Sequence, residues 1–92
     1  MVTDTQIPDW LDVSLLPRHA TFVRMVMGRP LFRVPLTLAD KLKLANAQSG
    51  REKDSIRHAR QRAAERAFER HYKQKYGTVV GYSRTPDFIA VD

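Results

Sequence analysis

The chain of 92 residues contains no cysteine. Disulfide frameworks, thiolate zinc sites and cysteine nucleophiles are excluded together, and the composition fits a reducing compartment. Nor does any apolar run approach the ~18–20 residues that cross a bilayer. The opening Met1-Val2-Thr3-Asp4-Thr5-Gln6 lacks the basic start and apolar stretch of a signal peptide. A soluble, cytoplasmic protein with no membrane partner is expected. Glycine is scarce, with only Gly28, Gly50, Gly77 and Gly81. They form neither a phosphate-cradling loop nor a dinucleotide fingerprint. The only histidines are His19, His58 and His71. His58 and His71 lie about 220° apart around a helix and do not face one another. No HExxH and no paired metal-ligand spacing is present, and Ser14, Ser49, Ser55 and Ser83 have no nucleophile-elbow context. No catalytic residue, metal or cofactor is expected, and an enzyme is disfavoured.

Acidic charge is also short after the first segment. Residues 1–17 hold Asp4, Asp9 and Asp12 with no Lys or Arg, whereas residues 18–92 hold all 16 basic residues against seven acids. The net charge is +6. Such a field draws polyanions and acidic protein surfaces. The sequence divides accordingly into an acidic N-terminal segment, 1–17, with a short helical turn, and a single basic domain, 18–92. Residues 1–6 are expected to fray. A chain of this size buries only roughly 60–65% of its unfolded surface, so its large apolar side chains are needed for folding.

Pro8 and Pro17 bracket Ile7–Leu16, where a short helix or 3-10 turn is predicted. Trp10, Leu11 and Leu15 form its apolar side. Trp10 is read first as a plug for the domain's own core. Trp10 and Leu11 are carried as a candidate docking patch for a partner. Residues 21–36 read as a β-hairpin, with Val23, Met25 and Met27 on one face, Gly28-Arg29-Pro30 as the turn, and Phe32, Val34 and Leu36 on one face. Pro35 marks the second strand as an edge, or ends it. A helix over 18–28 is the rival reading. Thr37 and Asp40 start a helix that carries Leu38, Leu42 and Ala45 at helical spacing, with Gly50 as its stop. A long helix follows over Lys53–Tyr76, rich in Ala, Arg, Glu, Lys and Gln and closed by Gly77. Residues 38–76 are either two helices or one kinked at Gly50. Residues 78–91 read as a second hairpin turning at Ser83–Pro86. The fold class is therefore α+β: two β-hairpins forming a small antiparallel sheet against one long basic helix, with a shorter helix before it. Lys41–Arg62 loosely suggests a helix-turn-helix, yet the Gly50 turn falls too late after Leu38 for the usual compact motif.

On a helical wheel, Ile56, Ala63, Ala64 and Ala67 gather on one side with Phe68 at its edge, and this is the predicted core face. Arg62, Arg66 and Arg70 repeat at i, i+4, i+8 on the far side with Lys73 beside them. Guanidinium groups fit phosphate and carboxylate in a fork. These four, supported by Arg57 and Lys75, are the candidate contacts to nucleic acid or to an acidic partner. A solvated face internally paired through Glu65 and Glu69 is the competing reading. Phe68, Tyr72, Tyr76 and Tyr82 lie close by; they can stack bases, or join the helix end to the C-terminal strands. The expected function is a small non-enzymatic accessory protein whose basic helix contacts nucleic acid. The alternative is an inhibitor or assembly subunit that grips an acidic protein surface with the Trp10 segment and the helix. Self-association through open sheet edges is a third possibility.

Overall fold

The computed structural model describes residues 6–91, so the fraying expected at the N-terminus lies, apart from Gln6, outside the described residues. The fold is α+β, built on a mixed three-stranded sheet and two helices. A 3-10 turn at Val13–Leu15 leads into strand β1 (Thr21–Val26) and strand β2 (Arg29–Pro35). Helix α1 (Leu38–Asn46) and helix α2 (Gly50–Tyr76) follow, then a second 3-10 turn (Tyr82–Arg84) and strand β3 (Asp87–Val91).

β1 and β2 form the expected hairpin, but its turn is one step earlier than predicted. Val26 pairs with Arg29, leaving Met27 and Gly28 as a two-residue loop. Both have positive φ, 51° and 81°, the pattern of a type I′ turn whose twist matches the strands. A bulge between Phe22 and Arg24 inserts Val23 and shifts the alternation. Phe22 therefore packs against the core opposite Phe32, and Met25 lies opposite Pro30, rather than the Val23–Met25–Met27 set read from simple period 2. Phe32, Val34 and Leu36 are all buried, as their spacing requires. Met27 is 98% exposed in a left-handed conformation that asparagine tolerates far better. Met27→Asn should raise the unfolding free energy by about 0.5–1 kcal/mol in urea titrations.

The second hairpin does not form. β2 is the central strand, antiparallel to β1 and parallel to β3. A parallel neighbour cannot be reached by a tight turn. The two helices make the long crossover between β2 and β3. Thr78–Gly81 pairs with no strand of this sheet and stays irregular. Pro35 does end β2, as the last residue of the ladder with β3, but the strand is not an edge. Pro30 is accommodated for a related reason. Its partner across the hairpin is Met25, next to the turn-closing Val26–Arg29 pair. Hydrogen-bonded and non-bonded pairs alternate, so the missing N–H falls where β1 needs none. The ladder to β3 begins only at Leu31.

α1 and α2 are separate helices. Thr37 and Asp40 close a capping box on α1. The break falls at residues 47–49, not at Gly50, which is the first residue of α2. Ser49 is extended and accepts the Glu52 N–H at 3.2 Å, while Glu52 accepts the Gln48 N–H at 3.0 Å. This local capping ends one helix and starts the next. Gly77 closes α2 with φ 73°, its N–H on the Lys73 carbonyl at 2.8 Å. That is the left-handed terminator expected from the sequence.

α2 packs on β3 and the core through Ala64 and Phe68. These join Phe32, Val34, Leu36, Phe88, Ala90, Leu11 and Leu15 in one cluster. The buried face is rotated from the predicted one. Ala63 is exposed, and Ile56 and Ala67 are half-buried to the same degree as Arg57, Arg60 and Gln61. Two polar contacts hold that rotation. Gln61 Oε1 accepts the Ala90 N–H at 3.4 Å, and Arg60 Nε donates to the Pro35 carbonyl at 3.1 Å. α1 contributes no buried residue. Leu44 alone leans on the core, and the Leu38–Leu42 stripe faces outward.

Candidate polyanion-binding surface

The N-terminal segment is part of the folded unit. Leu11 and Leu15 are buried, and Trp10 packs against the core with the Arg84 guanidinium 5.0 Å from its ring centre. Trp10 is thus partly buried against the core rather than a member of it. Leu11 is not accessible, so the candidate docking patch of Trp10 and Leu11 is not presented as an exposed surface. The reason is energetic: a small domain gains more from burying these side chains than from leaving them in water.

Asp12 fastens this segment to the end of α2. Its carboxylate accepts the Lys75 ammonium and the Tyr76 hydroxyl, each at 2.6 Å, and the Ser14 hydroxyl at 2.5 Å. Lys75 above all, then Ser14 and Tyr76, hold the Asp12 carboxyl well below the usual carboxylate range. The same contact raises Lys75, and Asp12 together with burial raises Tyr76. The signs set a window. A depressed carboxylate stabilises the fold above its unfolded pKa and loses that contribution as pH falls below ~4. The raised lysine and tyrosine contribute below their unfolded values, and that contribution is lost as pH rises past ~10. Urea midpoints of the wild type should fall between pH 5 and pH 3 more steeply than those of Asp12→Asn. Parallel curves would remove the fastening role.

The six basic residues singled out from the sequence separate into three groups. Arg62, Arg66, Arg70 and Lys73 lie on one outward stripe of α2, all exposed. Arg57 is half-buried, 3.8 Å from Asp54, and turned toward α1. Lys75 is held by Asp12. Among the described residues, ion pairs within 4.0 Å are Arg29–Asp87, Arg57–Asp54 and Lys75–Asp12. None involves the stripe, although Glu65 and Glu69 share its helix. Internal pairing of the ladder is therefore absent among the described residues.

Two shallow depressions border the stripe. One, of about 530 Å³, is lined by Arg66, Glu69, Arg70, Lys73, Val79 and Val80. The irregular 78–81 segment forms its apolar wall. The other, of about 490 Å³, places Arg62 with Arg51, Asp54, Ser55 and His58. Sequence reading had not assigned Val79, Val80, Arg51 or His58 to the surface. Arg51 and His58 carried a signal, since both fall near Arg62 on the wheel. Val79 and Val80 carried none, because their β-branched character points to a strand.

The nearby aromatics also separate. Phe68 is buried, and Tyr72 lies between it and Tyr76, with ring centres 6.4 and 4.6 Å away. Tyr82 is 79% exposed. The Arg29 guanidinium sits 4.3 Å from the centre of its ring. Arg29 is itself pinned by Asp87 at 3.0 Å and by the Thr85 carbonyl at 2.8 Å. The sheet has β1 and β3 as its edges. The Val23 bulge interrupts the first, and Gln61 caps part of the second.

No group of three or more His, Cys, Asp or Glu able to hold a metal ion occurs among the described residues. No helix among them is long and apolar enough to cross a membrane. No protein-family model matches the chain, and neither curated proteins nor solved structures show a match to it.

Proposed function

We propose that this protein is a small accessory domain that binds nucleic acid along the outer stripe of α2. One observation carries the reading: Arg62, Arg66, Arg70 and Lys73 stand exposed in a row with no internal carboxylate partner among the described residues. Like charges at i, i+4 oppose the helix by about 0.2–0.5 kcal/mol per pair. A fold that keeps two such pairs uncompensated has a surface suited to an external polyanion. The helix spans about 40 Å at 1.5 Å per residue, close to the 44 Å long axis of the molecule. The four cations span about 16 Å of that length, a short linear track, and phosphate contacts of this kind position without reading sequence.

The test is a salt titration of binding to mixed-sequence oligonucleotides between 50 and 300 mM. Four displaced counterions give a log–log slope of about −3 to −4. Affinity that does not change across this range would end the proposal.

A protein partner is the second reading, and α1 supplies the observation for it. Leu38 and Leu42 are 74% and 59% exposed one turn apart, with Lys41 and Lys43 on either side of Leu42. That stripe suits an amphipathic segment with acidic flanks. A pull-down with and without nuclease separates the two. Partners lost on nuclease treatment support the first reading; partners retained by wild type and lost by Leu38→Ser/Leu42→Ser support the second.

A further inference from the structure

We infer that the polyanion is single-stranded nucleic acid and that Tyr82 is the platform on which one of its bases stacks. The inference rests on the proposed role of α2 and adds the class of strand. Of the four aromatics beside the basic helix, Phe68 and Tyr72 are drawn into the core and Tyr76 is tied to Asp12. Tyr82 remains open to solvent, and it sits on a built support. Arg29, only 13% exposed, backs its ring, while Asp87 and the Thr85 carbonyl prevent the guanidinium from swinging away. An aromatic ring covered on one side and open on the other loses little freedom when a flat partner adds to it.

Position links the ring to the cations. Val79, three residues before Tyr82, walls the depression that holds Arg66, Arg70 and Lys73. Three residues reach at most about 11 Å. One strand can lay phosphates on the cations and pass a base over the ring. A duplex cannot use this arrangement, since its bases already stack on one another. Unpaired strands present free base faces, and proteins that hold them combine a cationic groove with aromatic platforms. An acidic peptide would satisfy the cations but has no general use for the ring.

The experiment measures fluorescence anisotropy at low salt with three labelled probes of equal length: an oligothymidylate, a mixed-sequence duplex, and an abasic deoxyribose-phosphate strand. Tyr82→Ala should bind the oligothymidylate about 5- to 150-fold more weakly than wild type. It should bind the abasic strand and the duplex as wild type does. Tyr82→Phe, which keeps the ring, should match wild type on all three. Circular dichroism confirms that each variant is folded. If Tyr82→Ala loses no more on oligothymidylate than on the abasic strand, or if wild type prefers the duplex, the inference falls while the α2 reading stands. If no probe binds in a salt-dependent way, the α2 reading fails and this inference falls with it.

Discussion

Replacing Phe68 by alanine should lower the unfolding free energy by about 3–5 kcal/mol. Phe68 is where the three parts of the molecule meet: α2, the sheet, and the N-terminal segment with Leu11 and Leu15. Its ring is 1% exposed, so truncation removes a large transfer term and leaves a cavity. A domain of this size has a total stability of about 5–15 kcal/mol. The loss is therefore about a fifth of the whole or more. Equilibrium urea unfolding followed by circular dichroism reads it as a lower midpoint at unchanged slope. The neighbouring alanines give a sharper check on how α2 is rotated. Ala64 is buried and Ala63 is exposed. Ala64→Leu should overpack the core and cost about 1–3 kcal/mol, whereas Ala63→Leu should stay within ~0.5 kcal/mol. Comparable costs at both positions would mean that the wheel drawn from sequence alone had the core face right.

Neutralising the ladder should abolish binding without harming the fold. The variant Arg62→Gln, Arg66→Gln, Arg70→Gln and Lys73→Gln removes four cations and keeps good helix formers. It also removes the like-charge pairs 62–66 and 66–70, so thermal stability should hold or rise slightly. If the four groups each neutralise a phosphate of a single strand, the wild-type slope is about −2.8, and affinity falls about 50-fold between 50 and 200 mM salt. The variant's slope should flatten toward zero, and its Kd at 50 mM should rise by about 100-fold or more. Lys75→Gln serves as the contrasting control. Lys75 is engaged by Asp12 at 2.6 Å, so its removal should loosen the N-terminal segment and leave the salt slope nearly unchanged. A ladder variant that binds as tightly as wild type would separate the basic stripe from any role in recognition.

Much of the local structure was legible because local chemistry decides it. The left-handed Gly77, the Thr37–Asp40 capping box and the Phe32–Val34–Leu36 face each depend on residues a few positions apart. The exposed ladder was legible for the same reason. A stripe of four long cations cannot be buried without partners, whatever the rest of the chain does. The rotation of α2 was not legible, because Ala-rich faces differ little in apolar area. Long-range contacts from Gln61 to β3 and from Arg60 to β2 choose between them.

Composition and spacing therefore determined the existence of the long helix, its C-terminal end at Gly77, its charge and the α+β class. The tertiary structure alone decided that β2 lies in the middle of a mixed sheet. It also tied Lys75 to the N-terminal segment, drew Arg57 toward α1, and set Tyr82 over an arginine 53 residues earlier in the chain. The physical division is one of range. Capping and solvation act within a few residues, whereas strand order and stacking partners are fixed only when distant segments compete for the same small core.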